Sequence, residues 1–242
     1  MKTRLGRSFK VVFSPKTISF TFIVLILLST SFTIQQKKTI TIKEGFVGMI
    51  GYGSLMSLKS MESSLGRQYD DSVYTVHLKG FVRAWTSYRL FNDPIKSDSS
   101  RPKFYGFILQ DNDSIPFDGI VQLNVESHKS QSINCILYIV SNEDIIKFDK
   151  REFDYERIDV TDKIEEYNII GGKVFMYQQK PDYYDKSIIN KSKFIVVIEF
   201  VESITTTCDE IGNNFRIEYD NSTLLPLFQI VASQKITWKT VN

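Results

Sequence analysis

Two short stretches of this chain carry residue types that do chemistry together. The first is Gly51-Tyr52-Gly53-Ser54-Leu55-Met56, which directly follows the apolar run 46–50. A strand that runs into Tyr-Gly-Ser turns sharply, and glycine lets backbone N–H groups face an incoming ligand. Such a turn holds an anionic group, or a carbonyl oxygen that gains charge during a reaction. The second stretch is Arg151-Glu152, whose Glu152 is the chain's best candidate for a catalytic carboxylate. An ordinary glutamate titrates near ~4.3, and burial brings it closer to a working pH. Together the two stretches are half-sites: a cradle of donors, and one acid/base to face it.

Other chemistries find less support. The chain has two Cys, 135 and 208, and two His, 77 and 128, with no spacing that resembles a metal site. Neither a catalytic zinc nor a His-based triad is indicated, and no cofactor is expected. Two buried free thiols are the preferred reading of Cys135 and Cys208; export would allow a disulfide between them.

The 242 residues, 42% hydrophobic and 13% aromatic, suffice for one domain with a substantial core plus an N-terminal addition. Charge is unevenly spread: residues 1–43 carry eight basic side chains and no acidic one, leaving 22 basic against 28 acidic residues, a net of −6. A nucleic-acid binder shows a basic face, so nucleic acid is not an expected partner.

The basic stretch from Lys2 to Lys16 precedes an apolar run, 18–28, broken only by Ser19 and Thr21. That order marks a signal peptide or a signal anchor. Extended to Ile34 the run is 17 residues, the short limit for a membrane span. Ser29 and Ser31 suit a cleavage site after Ser31. Basic residues before the run keep the N-terminus cytoplasmic and send the domain across, leaving it exported or anchored. The expected division is therefore 1–45, targeting segment plus linker, and 46–242, the domain, with membrane association through residues 18–34. A start near Met49 would instead make the protein cytoplasmic.

The elements that must position the two half-sites follow from periodicity and punctuation. Residues 46–50 read as a buried strand and 57–65 as a short helix capped by Ser57. Residues 73–90, rich in Val, Tyr, Trp and Phe, read as strand, and 92–103, with two Pro, as loop. Strands are expected at 104–109, 119–125 and 133–140, the last two separated by the polar stretch 126–132. Ser141-Asn142-Glu143-Asp144 starts a helix over 142–151, with early acids at the positive end of its dipole. Ile145, Ile146, Phe148 and Asp149 fall at helical spacing. Further strands are expected at 157–160 and 173–177, then a loop over 178–190. Residues 194–208 are β-like in composition, yet Phe194, Ile198, Val201, Thr205 and Cys208 fit one helical face. Many strands with few helices imply an α+β domain, a small mixed β-barrel with flanking helices.

On four features the chain resembles the γ-glutamylcyclotransferase family, over roughly residues 46–225. They are Tyr52-Gly53-Ser54-Leu55 after an opening strand; Leu78-Lys79-Gly80-Phe81-Val82-Arg83-Ala84-Trp85, similar to the family's second strand; the run from Ile136 through Ser141 to Arg151-Glu152 and Tyr155; and Val174-Phe175-Met176-Tyr177 with the segment through Cys208-Asp209-Glu210-Ile211-Gly212. In relatives the last region is helical, which tips 194–208 to helix. Two departures stand out. Leu55 replaces the Asn of several members and is closer to the glutathione-specific branch and to other subfamilies. Phe153 follows Glu152 where relatives often carry a small residue.

The resemblance implies a reaction in which the substrate's own α-amino group attacks its γ-carbonyl, giving 5-oxoproline and a free amine. It implies Glu152 as general acid/base, with Tyr52, Gly53, Ser54, Leu55 and Tyr155 binding the substrate. Backbone N–H groups around residues 53–55 would hold the oxyanion, the Ser54 hydroxyl the α-carboxylate, and Tyr52 or Tyr155 would orient carboxylates. The expected partner is a small γ-glutamyl molecule; the alternative is a tethered or exported domain that binds such a ligand without turnover. Arg83 is expected to pair, Trp85 to join the core, Tyr219 to pack between helices, and Glu143, Asp154 and Glu156 to be surface charges.

Overall fold

The computed structural model describes residues 37–92, 103–180 and 186–241. The apolar run 18–34 and most of the expected loop 92–103 lie outside them. Among the described residues no helix is long and apolar enough to cross a membrane.

Strand β1 (Lys38–Thr41) is followed by β2 (Phe46–Gly51), helix α1 (Leu58–Leu65) and strand β3 (Val73–Leu90). Strands β4 (Lys103–Gln110), β5 (Asp113–Phe117) and β6 (Gly119–Ser141) lead into helix α2 (Asn142–Arg151). Then come β7 (Tyr155–Asp159), β8 (Tyr167–Ile170), β9 (Val174–Gln179) and β10 (Phe194–Val197). Helices α3 (Ile198–Ile211) and α4 (Asn213–Asn221) precede β11 (Gln229–Val231) and β12 (Ile236–Val241).

The α+β class expected from the sequence is the one observed. The main sheet runs β11-β10-β6-β2-β9-β7, with β3 also paired to β6. Among the described residues these pairings form an open path. β2 sits near its middle, antiparallel to β6 and parallel to β9, and its last four residues are buried. That placement explains why 48–51 carries no polar alternation: over those residues neither face of the strand meets water, whereas Phe46 at its start is exposed. Met49, Ile50, Leu137, Tyr138, Phe148 and Met176 form the centre of the core. A smaller cluster, Ile108, Phe117, Ile195 and Val231, lies where the β12-β4-β5 sheet meets β10.

Several expectations are corrected. The polar stretch 126–132 is no break; β6 runs through it without interruption, paired to β3 on both sides of Gly80, where the register shifts and φ is +90°. Residues 126–130 are exposed, so their polarity reports water, not a turn. Residues 38–41, expected as linker, form β1, paired in parallel with β8, with Ile40 and Ile42 buried. The region 194–208 is both things at once: β10 through Val197, then α3 from Ile198. Within the expected loop 178–190, β9 continues to Gln179 and Lys186–Ile189 makes a single helical turn.

α1 and α2 form where the sequence places them, because each begins with a side-chain cap. Ser57 accepts from the Ser60 N–H at 3.5 Å, and Ser141 from the Asp144 N–H at 3.0 Å. Ile145 and Phe148 of α2 are buried, while Ile146, at adjacent spacing, is exposed. Cys135 and Cys208 are free, buried thiols, and burial pushes both up to about 12.

Candidate functional site

At the end of β2 the chain folds back on itself within a few residues. Gly51 packs so closely that a Cβ there would sit 2.3 Å from the Leu55 carbonyl oxygen. Beyond it, Ser54–Met56 forms one turn of 3-10 helix. Gly53 O accepts from Met56 N–H at 2.9 Å, Ser54 O from Ser57 N–H at 3.3 Å and Met56 O from the Tyr138 hydroxyl at 2.8 Å. Tyr52 O accepts from Arg83 Nε at 2.9 Å. Across a trans peptide the C=O and the next N–H point in opposite directions. The Gly53 N–H therefore points away from Arg83, and the first amides of the turn have no intrahelical acceptor.

Arg83 is the buttress behind this turn. It is fully buried, and its guanidinium donates to Tyr52 O, to Ser222 Oγ at 2.8 Å, and to Asn134 through both the backbone oxygen and Oδ1. Its face lies 4.7 Å from the Tyr219 ring centroid. The expected pairing is thus with uncharged oxygens, and Tyr219 packs on Arg83.

Glu152 is delivered by the end of α2. Its N–H closes the helix on Phe148 O at 2.8 Å, and its own carbonyl accepts from Tyr155 N–H at 2.8 Å as β7 begins. The carboxylate is 16% exposed and lies 3.1 Å from Arg151 Nε. Burial is the largest influence and raises its pKa above the ordinary glutamate value; nearby Asp154 adds to the rise and Arg151 opposes it. The negative end of the α2 dipole acts in the same direction as burial.

Tyr52, Gly53, Ser54, Leu55, Glu152 and Tyr155, all named from the sequence, line one cavity of about 470 Å³. Trp85 and Leu123 give it apolar wall, and Phe200, Ser203 and Ile204 of α3 close another side. Burial raises the phenols of Tyr52 and Tyr155 well above their ordinary value, with Glu152 contributing to both. They remain neutral donors at any physiological pH. Tyr155 donates to Leu123 O at 3.2 Å, and Tyr177 donates to Asp149 Oδ1 at 2.7 Å, tying β9 to α2.

Three charged residues of the cavity were missed or misassigned. Asp154, expected at the surface, is buried in the wall, with Arg89 Nε 3.9 Å from its carboxylate. Arg89 also stands 5.2 Å from the ring centroid of Phe153, and all three line the cavity. Arg151, which the sequence marks only as the neighbour of Glu152, spans from Glu152 to Ser54, Ser60 and Ser64. Among the described residues, no group of three or more His, Cys, Asp or Glu is arranged to hold a metal ion.

The fold and this cavity define an α+β protein with a largely buried carboxylate in the same cavity as a strand-end turn. No family model matches the sequence, and no curated protein matches it. Among solved structures the chain is similar to a gamma-glutamyl cyclotransferase, at 8% identity and a TM-score of 0.43, over 72% of this chain and 86% of that one. It is similar to an uncharacterized protein from Homo sapiens, at 12% identity and TM-score 0.40, over 76% and 90% of the two chains. An Arabidopsis thaliana protein solved in solution shares 16% identity at TM-score 0.35, over 76% of this chain and 88% of its own.

Proposed function

We propose that the protein is a cyclotransferase that converts a γ-glutamyl amine or peptide to 5-oxoproline and a free amine. The observation that carries this reading is the desolvated Glu152 carboxylate in the same cavity as the 52–55 turn. Nucleophile and electrophile both belong to the substrate, so the enzyme must fold one small molecule and move one proton.

The steps balance without a cofactor. Glu152 takes a proton from the α-ammonium, and the freed amine forms a C–N bond with the γ-carbonyl carbon. The carbonyl oxygen becomes an oxyanion, held by amides of the turn; one such donor contributes about 3 kcal/mol. The attacking nitrogen, positively charged after bond formation, loses its second proton to water, and the original C–N bond then breaks as the oxyanion collapses and the carboxylic acid of Glu152 returns the first proton to the departing nitrogen. Ser54 Oγ accepts from Arg151 at 3.2 Å, which leaves its own O–H to donate to the substrate's α-carboxylate. A raised pKa matches Glu152 to both halves of this proton transfer, as base and then as acid.

Incubation of the purified protein with γ-glutamyl peptides, γ-glutamyl amines and glutathione tests the proposal. Release of 5-oxoproline from at least one substrate, lost in Glu152→Gln, is the expected result. Thermal stabilisation by these compounds with no product would show a binding domain instead.

A further inference from the structure

Arg151 precedes Glu152 but reaches across to α1. One terminal nitrogen donates to the Ser60 carbonyl oxygen at 3.2 Å and to the Ser64 hydroxyl; the other donates to Ser54 Oγ at 3.2 Å and Ser60 Oγ at 3.1 Å. Nε faces Glu152 Oε1 at 3.1 Å. A guanidinium has five N–H donors; the serine oxygens take the four of its terminal nitrogens, and Nε stands at ion-pair distance from Glu152. Ser60 and Ser64 stand at i and i+4, on one face of α1. Ser64 Oγ also donates to Ser60 O at 2.9 Å, which fixes its hydroxyl hydrogen and turns a lone pair to the arginine.

Of these oxygens around Arg151 only the one on Glu152 is charged. Hydroxyls and carbonyls fix the fork without neutralising it, so the positive charge remains available to the one carboxylate beside it. We propose that Ser60 and Ser64 of α1 form a cradle that makes Arg151 the positioning residue of Glu152, coupling the helix after the turn to the acid/base. The inference rests on the reading of Glu152 given above. Without the cradle the fork, already one-third exposed, swings to water, and burial and Asp154 act on Glu152 with less opposition.

The test is a carbon-13 carboxyl titration of the full chain by NMR, with Glu152 assigned from its loss in Glu152→Gln, run beside the pH profile of turnover. In Arg151→Gln the Glu152 midpoint rises by about one pH unit, the low end for an adjacent opposite charge that is partly in water. In Ser60→Ala/Ser64→Ala it rises by a smaller step, and the acid limb of kcat moves with it while KM changes less. An unmoved midpoint in Arg151→Gln, or a double serine variant with wild-type midpoint and kcat, overturns the proposal. If Arg151→Gln does not fold, Arg151→Lys is read in its place, since one ammonium cannot span three serines and Glu152; no rise there also overturns it. A chain that shows these shifts but releases no 5-oxoproline refutes the reaction and leaves the cradle standing. Turnover without the shifts refutes the cradle alone.

Discussion

Gly51→Ala is the sharpest mechanical test of the site. The added Cβ would meet the Leu55 carbonyl oxygen at 2.3 Å, its carbon at 2.5 Å and the Met56 nitrogen at 2.9 Å, all backbone atoms. Ordinary contact begins near 3.4 Å, so turn and strand must separate by roughly 1 Å. The turn has little freedom to retreat, because Tyr138 holds Met56 O and Arg83 holds Tyr52 O. Overpacking of this kind costs about 1–3 kcal/mol. At ~2–4 °C per kcal/mol for a domain of this size, a loss near ~2 kcal/mol lowers Tm by about 4–8 °C. A 1 Å displacement of a positioning group lowers turnover by roughly 10²-fold. Gly53→Ala is the control, since its Cβ would meet Leu123 Cδ2 at 3.5 Å, an ordinary contact, and its stability loss should be smaller. Calorimetry and 5-oxoproline release read the two effects. Gly51→Ala with wild-type Tm and turnover within twofold would refute the argument that this glycine sets the turn.

Glu152→Gln should trade activity for stability. A carboxyl whose folded pKa lies above 4.5 loses stability as pH rises from that value through the raised midpoint, so the variant should gain Tm relative to wild type across that window; parallel melting curves from pH 4 to 8 would contradict it. Arg83→Met takes the guanidinium donors from Tyr52 O, Asn134 O and Ser222 Oγ and should cost about 3 kcal/mol in urea unfolding; a loss below ~1 kcal/mol would mean the buttress is dispensable. His77 lies between Glu166, at Nδ1, and Glu218, 2.9 Å from Nε2, and these carboxylates outweigh burial, the largest single influence, to raise its pKa. Its contribution is fully present below pH 6.5 and is lost as pH rises through the raised midpoint. In His77→Gln that pH-dependent step in the urea midpoint should vanish, and its persistence would assign the step to another group.

The parts of the fold legible in the sequence are those with local causes. β3 and α2 match their expected limits because aromatic and β-branched density marks one and a serine cap with early acids marks the other. What escaped has non-local causes. β1 has flanking lysines and only Ile40 buried within it, so its partner β8 alone reveals it. Residues 126–132 are strand because β3 lies alongside, although their polarity resembles a turn. The site was legible to the same degree. Six residues named from two motifs meet in one cavity, whereas Arg89 and Asp154 did not announce themselves. A register irregularity between Ala84 and Ser87 breaks the alternation by which the facing of Arg89 would be read. Asp154 sits in a run of charges, and only the tight α2–β7 connection turns it inward.

β6 has a consequence for how the protein assembles. Its 23 residues would span roughly 75 Å if straight, well beyond the width of a domain this size, so the strand must bend. It pairs with β2, β3 and β10, segments far apart along the chain. Each pairing closes a long loop before it is rewarded, which places folding in the slow, milliseconds-to-seconds regime. The segment 136–138, bonded to β2 on one side and β3 on the other, holds amides that exchange with solvent only when the whole domain opens.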